Sequence, residues 1–173
     1  LGMEKGTIEF HIEESDDLTA LGADSIELLF SANTGDRLLP LHKVASGGEL
    51  ARIALAFKSV FSARTFKTLV FDESDVGSSG DIALKVAEKI KNLSNSNQVF
   101  CITHLPQTAS IGSHHYHLEK VEKEGRTVST IMPLTKAQHL EHIAAMMSGK
   151  GMSETALATA RELMVHFHVK YAR

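Results

Sequence analysis

Two adjacent carboxylates, Asp72 and Glu73, close the short apolar run Leu69-Val70-Phe71, and a histidine, His104, closes a second such run over residues 98–103. Acidic groups at the C-terminal end of a buried strand face the crevice where ligands of α/β sheets bind. Asp72 would hold Mg²⁺, directly or through water, and Glu73 would polarise an attacking water. Upstream lies Ser46-Gly47-Gly48-Glu49. This is a capping box: the Ser46 hydroxyl accepts from the Glu49 N–H while the Glu49 carboxylate reaches back to the N–H of Ser46. Two glycines in a first helical turn are costly for a helix alone, each by about 1 kcal/mol in a helix interior. Without side chains they leave the N–H groups at the positive end of the helix open, and phosphate suits that end. Phosphoryl chemistry is the common reading. Each piece also has a plain alternative, a solvated turn for Asp72-Glu73 and a well-capped surface helix for Ser46–Glu49.

The elements that must position these residues follow from periodicity. Leu50, Ile53, Ala54, Phe57 and Phe61 recur at helical spacing, so a long amphipathic helix follows the capping box. Leu69, Val70 and Phe71 read as a parallel strand buried on both faces. A polar loop, Ser74-Asp75-Val76-Gly77-Ser78-Ser79-Gly80, leads to a helix over 81–93 and a strand over 98–103. In a right-handed βαβ unit both strand ends lie on one edge of the sheet, so Asp72, Glu73 and His104 are brought together. Before this unit, residues 7–13 and 25–30 alternate as half-buried antiparallel strands, with Ile8, Phe10 and Ile12 on one face and His11 turned to solvent. Asn33-Thr34-Gly35 is a turn, and residues 38–41 lead to the capped helix. After His104, a short helix spans 105–111 with Pro106 in its first turn. A hairpin joins 116–121 to 126–132 about residues 122–125, and helices over 136–147 and 154–167 close the chain.

Size and composition bound the class. A chain of 173 residues with 43% apolar content fits one globular lobe with a real core. The formal charge of −3 gives no global case for nucleic-acid binding. Lys43, Arg52, Lys58, Arg64 and Lys67 supply local positive charge that a solvated helix face also explains. Cys101, the single cysteine, lies within an apolar strand and reads as an inert buried thiol. No apolar run reaches the ~20 residues of a membrane span, and a cytoplasmic setting is expected.

Capping box before a helix, strand ending Asp-Glu, Asp-bearing loop and strand ending in His: this order resembles the second half of an ABC-type ATPase head. More narrowly, Val44–Ile53, Val70–Gly80 and Ile102–Ala109 resemble the bacterial RecN family of DNA-repair ATPases, relatives of the SMC proteins, and the resemblance runs through nearly the whole chain. Ser74 and Ser78 stand where branched apolar residues are expected in the loop. The resemblance implies an α/β fold, the C-terminal lobe of a P-loop NTPase head, its mostly parallel sheet flanked by helices and preceded by antiparallel strands. One lobe covers 1–173: strands leading in (1–43), the motif region (44–112), then hairpin and C-terminal helices (113–173).

The resemblance also implies roles. Asp72 positions Mg²⁺, Glu73 is the general base, and His104 contacts the γ-phosphate. Asp75 belongs to a loop that crosses a dimer interface. Ser46, Gly47 and Gly48, with Glu49, cap the γ-phosphate of ATP held on an opposing head, and Gln107 joins the nucleotide-binding set. The implied partners are the N-terminal half of the same polypeptide, a second head in a homodimer, and DNA through the full-length protein at the bacterial nucleoid. Membrane is not among them. A phosphate-binding G-x-x-x-x-G-K-[ST] is absent: at Gly149-Lys150 the next residue is Gly151, and Ala144 occupies the first glycine's place. The isolated chain is therefore expected to be inactive, with a coiled coil ending just before Leu1.

Two rival classes compete with this reading. One is a Mg²⁺-dependent phosphoryl-transfer or nucleic-acid-cleaving domain that uses Asp72, Glu73 and Asp75 as a metal cluster. The other is a non-catalytic interaction module. His114, His115 and His117 crowd one stretch, with His115 and His117 on one face of a strand, and His139 and His142 share a helix face. No cysteines and no fourth ligand for a metal accompany them, so structural, partly exposed histidines are expected.

Overall fold

The computed structural model describes residues 1–20, 22–61, 68–149 and 153–170, with side chains described as far as Phe167. Arg64, Lys67, Lys150 and Gly151, singled out above, lie outside the described residues. The chain begins with a β-hairpin, β1 (Thr7–Thr19) and β2 (Gly22–Ser31), with β3 (Leu39–Pro40) pairing to β2. A short turn of helix, α1 (Leu41–Val44), precedes α2 (Gly47–Phe61). Strand β4 (Thr68–Asp72) crosses through α3 (Gly80–Leu93) to β5 (Gln98–Ile102), which pairs with it in parallel. After α4 (Pro106–Ala109) come the hairpin β6 (His115–Lys123) and β7 (Arg126–Leu134), then α5 (Lys136–Ser148) and α6 (Glu154–Lys170).

The chain is α/β as expected, but most of the strand pairing among the described residues is antiparallel; the parallel part there is the pair β4–β5. Parallel neighbours need a crossover connection, and α3 is the only one these two strands share. The first two strands run past the bounds expected for them, β1 reaching Thr19, with the register broken between Glu14 and Thr19.

The core gathers on one side of β4 and β5. Leu69 and Phe71 pack with Leu55 of α2, with Val86, Ala87, Ile90 and Leu93 of α3, and with Phe167 of α6. Ala83, Val86, Ala87, Ile90 and Leu93 follow the three-and-four spacing that puts one helix face inward. A second cluster joins Ala109, Ile143, Ala144, Ala156 and Ala160 between α4, α5 and α6. Helix α5 starts with a capping box of its own, Thr135 and Gln138.

Four expectations are corrected. The run Leu69–Phe71 is not buried on both faces: Phe71 is 2% exposed but Val70 is 58% exposed, and its neighbours Phe100 and Ile102 are bare as well. In α2 the core-facing residues are Arg52, Ile53 and Leu55, whereas Leu50, Ala54 and Phe61 of the expected stripe are exposed. The reason is that α2 has two apolar sides: one meets the core, and the other turns Phe57 toward Phe10 of β1, ring centroids 6.3 Å apart. The alternating strands are antiparallel, and the end of β2 is buried at Phe30 with Leu28 half-buried, but Ile8, Phe10, Ile12 and Ile26 are exposed. Cys101 is half-buried rather than fully enclosed, and burial, helped by the charge of Asp75, pushes its thiol up to about 12.

Candidate nucleotide-binding site

The parallel register sets Asp72 beside Ile102, so the residues that follow each strand share one edge. The Glu73 N–H donates to the Ile102 carbonyl at 2.9 Å, extending the pairing one step past the strand. Glu73 itself has φ +45°, the left-handed region that non-glycine residues adopt at a cost of order 1–3 kcal/mol. That turn points its carboxylate at the next strand's loop: Glu73 Oε1 lies 3.9 Å from His104 Nδ1, both side chains being about three-fifths exposed. Asp72 is exposed beside them. Carboxylate and imidazole of Glu73 and His104 therefore meet at an open edge, as expected from the strand ends, while Asp72 is exposed at the end of β4.

Asp75 departs from this group. Its side chain is 1% exposed and accepts a hydrogen bond from the Thr103 hydroxyl instead of facing solvent. The three-carboxylate metal cluster of the rival reading is thus not assembled, and among the described residues no group of three or more His, Cys, Asp or Glu is placed to hold a metal. Asp72 and Glu73 still fit Mg²⁺, a hard cation that takes one or two carboxylates and completes its shell with water and phosphate oxygens. Ser78, in the same loop, is buried with its hydroxyl unpartnered among the described residues, as suits a position made for an apolar side chain; Ser74 is half-buried.

The capping box forms as read. Glu49 N–H donates to Ser46 Oγ at 3.3 Å, and the Glu49 carboxylate accepts from both the N–H and the hydroxyl of Ser46 at 2.8 Å. Those bonds, the backbone one foremost, hold the Glu49 carboxyl below its ordinary range. The two glycines separate in role. A Cβ on Gly47 would meet nothing within 4 Å, which leaves the helix N-terminus open for a ligand. A Cβ on Gly48 would meet the Val76 carbonyl at 3.0 Å and Gly77 Cα at 3.3 Å, so Gly48 is small because the Asp75-bearing loop packs on it. Sequence alone assigned both to a ligand. Gln107 is half-buried in α4, its carbonyl bonded by the Ser110 hydroxyl.

Sequence reasoning also missed Thr103, whose hydroxyl joins the two loops; a threonine closing a strand carries no signal of its own. It had the two histidine pairs but not their meeting: His115 Nε2 lies 3.0 Å from His142 Nδ1, His115 stacks on His139, and His117 meets His142 edge-on. His114 stays exposed outside this group.

Solved structures share this fold. One is the Smc head domain with a coiled coil and joint from Pyrococcus yayanosii, with a TM-score of 0.62 and 22% identity over 82% of this chain and 26% of that one. Another comes from work on ATP-driven dimerization and DNA-stimulated activation of SMC ATPases, with a TM-score of 0.58 and 20% identity over 87% of this chain and 86% of that one. No protein-family model matches the chain. Among individual proteins it is 46% identical over 164 residues to the DNA repair protein RecN of Deinococcus radiodurans, covering 95% of this chain and 29% of that protein. It is 44% identical over 148 residues to RecN of Bacillus subtilis, covering 85% of this chain and 26% of that protein. The chain belongs to the RecN family and spans less than a third of the length of these relatives. Among the described residues no helix is long and apolar enough to cross a membrane.

Proposed function

We propose that this chain is the C-terminal lobe of a split ABC-type ATPase head serving DNA double-strand-break repair and recombination. The observation that carries the reading is the meeting of Glu73 and His104 at the shared edge of β4 and β5, with an open, capped helix N-terminus on the loop beside them. Asp72 would hold Mg²⁺ at the bound triphosphate, and the ion would there neutralise phosphate charge. Glu73 accepts a proton from the attacking water, and its exposed carboxylate is free to do so. His104 contacts the terminal phosphate from the neighbouring strand end. Ser46, Gly47 and Glu49 present the helix N-terminus to ATP bound on a second head, and Gln107 of α4 joins the nucleotide-binding set that the resemblance implies.

The rest of the parent polypeptide supplies what this lobe lacks. The bare face of β4–β5, formed by Val70, Phe100 and Ile102, is apolar and continuous with the site edge. A parallel sheet is normally covered on both faces. The N-terminal half, with its phosphate-binding loop, is the partner that would cover this one. Two such heads then sandwich two nucleotides, DNA being held by the full-length protein in the cytoplasm, at the nucleoid.

Glu73→Gln in the full-length protein tests this directly. It keeps shape and removes the base, so ATP turnover falls roughly 10²–10⁴-fold while nucleotide-bound head pairing persists. Unchanged turnover removes Glu73 as the base.

A further inference from the structure

Glu73 and His104 are both largely exposed, so packing of their own side chains does not set the 3.9 Å between them. Their positions are inherited from two backbone turns, one after β4 and one after β5. The first turn is strained at Glu73 and is closed by the Val76 N–H donating to the Glu73 carbonyl at 3.0 Å. Within it the Ser78 N–H donates to the Asp75 carbonyl at 3.0 Å. The second turn is closed by the Leu105 N–H donating to Thr103 Oγ1 at 2.9 Å, which spans His104. Among the described residues one side-chain hydrogen bond ties the two turns together, from the Thr103 hydroxyl to the Asp75 carboxylate. Thr103 uses one hydroxyl twice, as acceptor for the His104 turn and donor to the Glu73 turn.

The alternatives to this bond are poor. Asp75 is buried, and its other oxygen has no hydrogen-bond partner among the described residues. Without the Thr103 hydroxyl a buried carboxylate would lose its one side-chain donor, and such a group relaxes toward water. Relaxation of Asp75 would move the strained turn that carries Glu73. The same turn rests through Val76 and Gly77 on Gly48, at distances that leave no room for a methyl group. Displacement of Asp75 therefore reaches the capped helix as well.

We propose that Thr103 is a positioning residue, which clasps the Asp75 loop to the His104 turn and so sets the Glu73–His104 geometry and its register with the capped helix. This inference rests on the ATPase-head reading above. It assigns a function to Asp75 within its own lobe, beside any role of its loop at an interface.

The test compares Thr103→Val, which keeps the shape and removes the hydroxyl, with Thr103→Ser, which keeps the hydroxyl, in the full-length protein. Thr103→Val should lower kcat for ATP by roughly 10–100-fold, because misplacement of reacting groups by about 1 Å has effects of that order. KM for ATP should stay within about twofold, since the clasp touches no bound phosphate, and Thr103→Ser should restore most of kcat. Equal loss in Val and Ser variants, a rise in KM alone, or an unchanged kcat in the Val variant overturns the proposal. Should the Val variant not fold, Asp75→Asn weakens the same bond without changing shape. It should lower kcat severalfold at constant KM, and an unchanged kcat there overturns the proposal too. Glu73→Gln runs alongside: if it leaves turnover intact the ATPase-head reading has failed, whereas loss in Glu73→Gln with none in Thr103→Val rejects the clasp alone.

Discussion

Two groups of ionisable side chains stand a short chain distance apart and behave differently. At the ends of β4 and β5, Asp72, Glu73 and His104 are exposed around a strained turn. Between β6 and α5, His115, His117, His139 and His142 are stacked and hydrogen-bonded, with His139 buried and its Nε2 3.1 Å from the Ala109 carbonyl. Burial, reinforced by the neighbouring imidazoles, takes His115 from 6.5 down to about 4, and lowers His142 for the same reasons. Strongly shifted protonation often marks a functional site, yet here it marks packing. The motif-bearing group is the open one, beside a bare apolar sheet face, and backbone geometry holds it.

The sharpest way to break this contrast is at the open site. Ser46→Arg places bulk at the helix N-terminus, where Gly47 leaves room for a ligand. In the full-length protein it should abolish ATP-driven head pairing and turnover while nucleotide binding in cis survives. Mixed with heads whose phosphate-loop lysine is replaced, it should regain one working composite site of two. No recovery from two folded, associating variants would count against action in trans.

A smaller effect separates the two glycines. Gly48→Ala should destabilise by about 1–3 kcal/mol, the usual scale of overpacking, because its methyl meets the Val76 carbonyl. Gly47→Ala should be neutral or stabilising by up to about 1 kcal/mol through helix propensity. Urea unfolding curves of both variants decide this, and equal midpoints would mean that the Asp75 loop does not press on α2.

The smallest effect belongs to the histidines. His115 and His142 bind protons less readily folded than unfolded, so the unfolded chain takes them up first as pH falls below about 6.5. Stability should therefore decline from pH 6.5 toward 4 and level off where folded His115 protonates too, shifting Tm by a few degrees. His115→Gln should flatten the profile between those values. A profile that stays as steep in that variant would place the titration elsewhere.

Much of the site was readable in order along the chain. Ser46–Glu49 predicted its own capping box because both partners lie within one helical turn. The strand ends predicted that Glu73 and His104 meet, because parallel pairing with a short crossover allows few arrangements. The hairpin turn at Glu124-Gly125, both with positive φ, and Pro106 opening α4 were equally local. Periodicity was less informative where an element has two apolar sides: in α2 it found Ile53 and the stripe whose Phe57 faces β1, and missed Leu55 on the core face.

What this sequence determined by itself is therefore the identity and order of the chemical groups, since caps, turns and strand ends depend on residues a few positions apart. What only the tertiary structure decided is which of those groups face each other. Asp75 turns inward to Thr103, Gly48 yields to the loop while Gly47 stays open, and four histidines from a strand and a helix become one cluster. Such choices depend on contacts between segments far apart in the chain, where the gain from burying one side chain competes with every other way of packing the same elements.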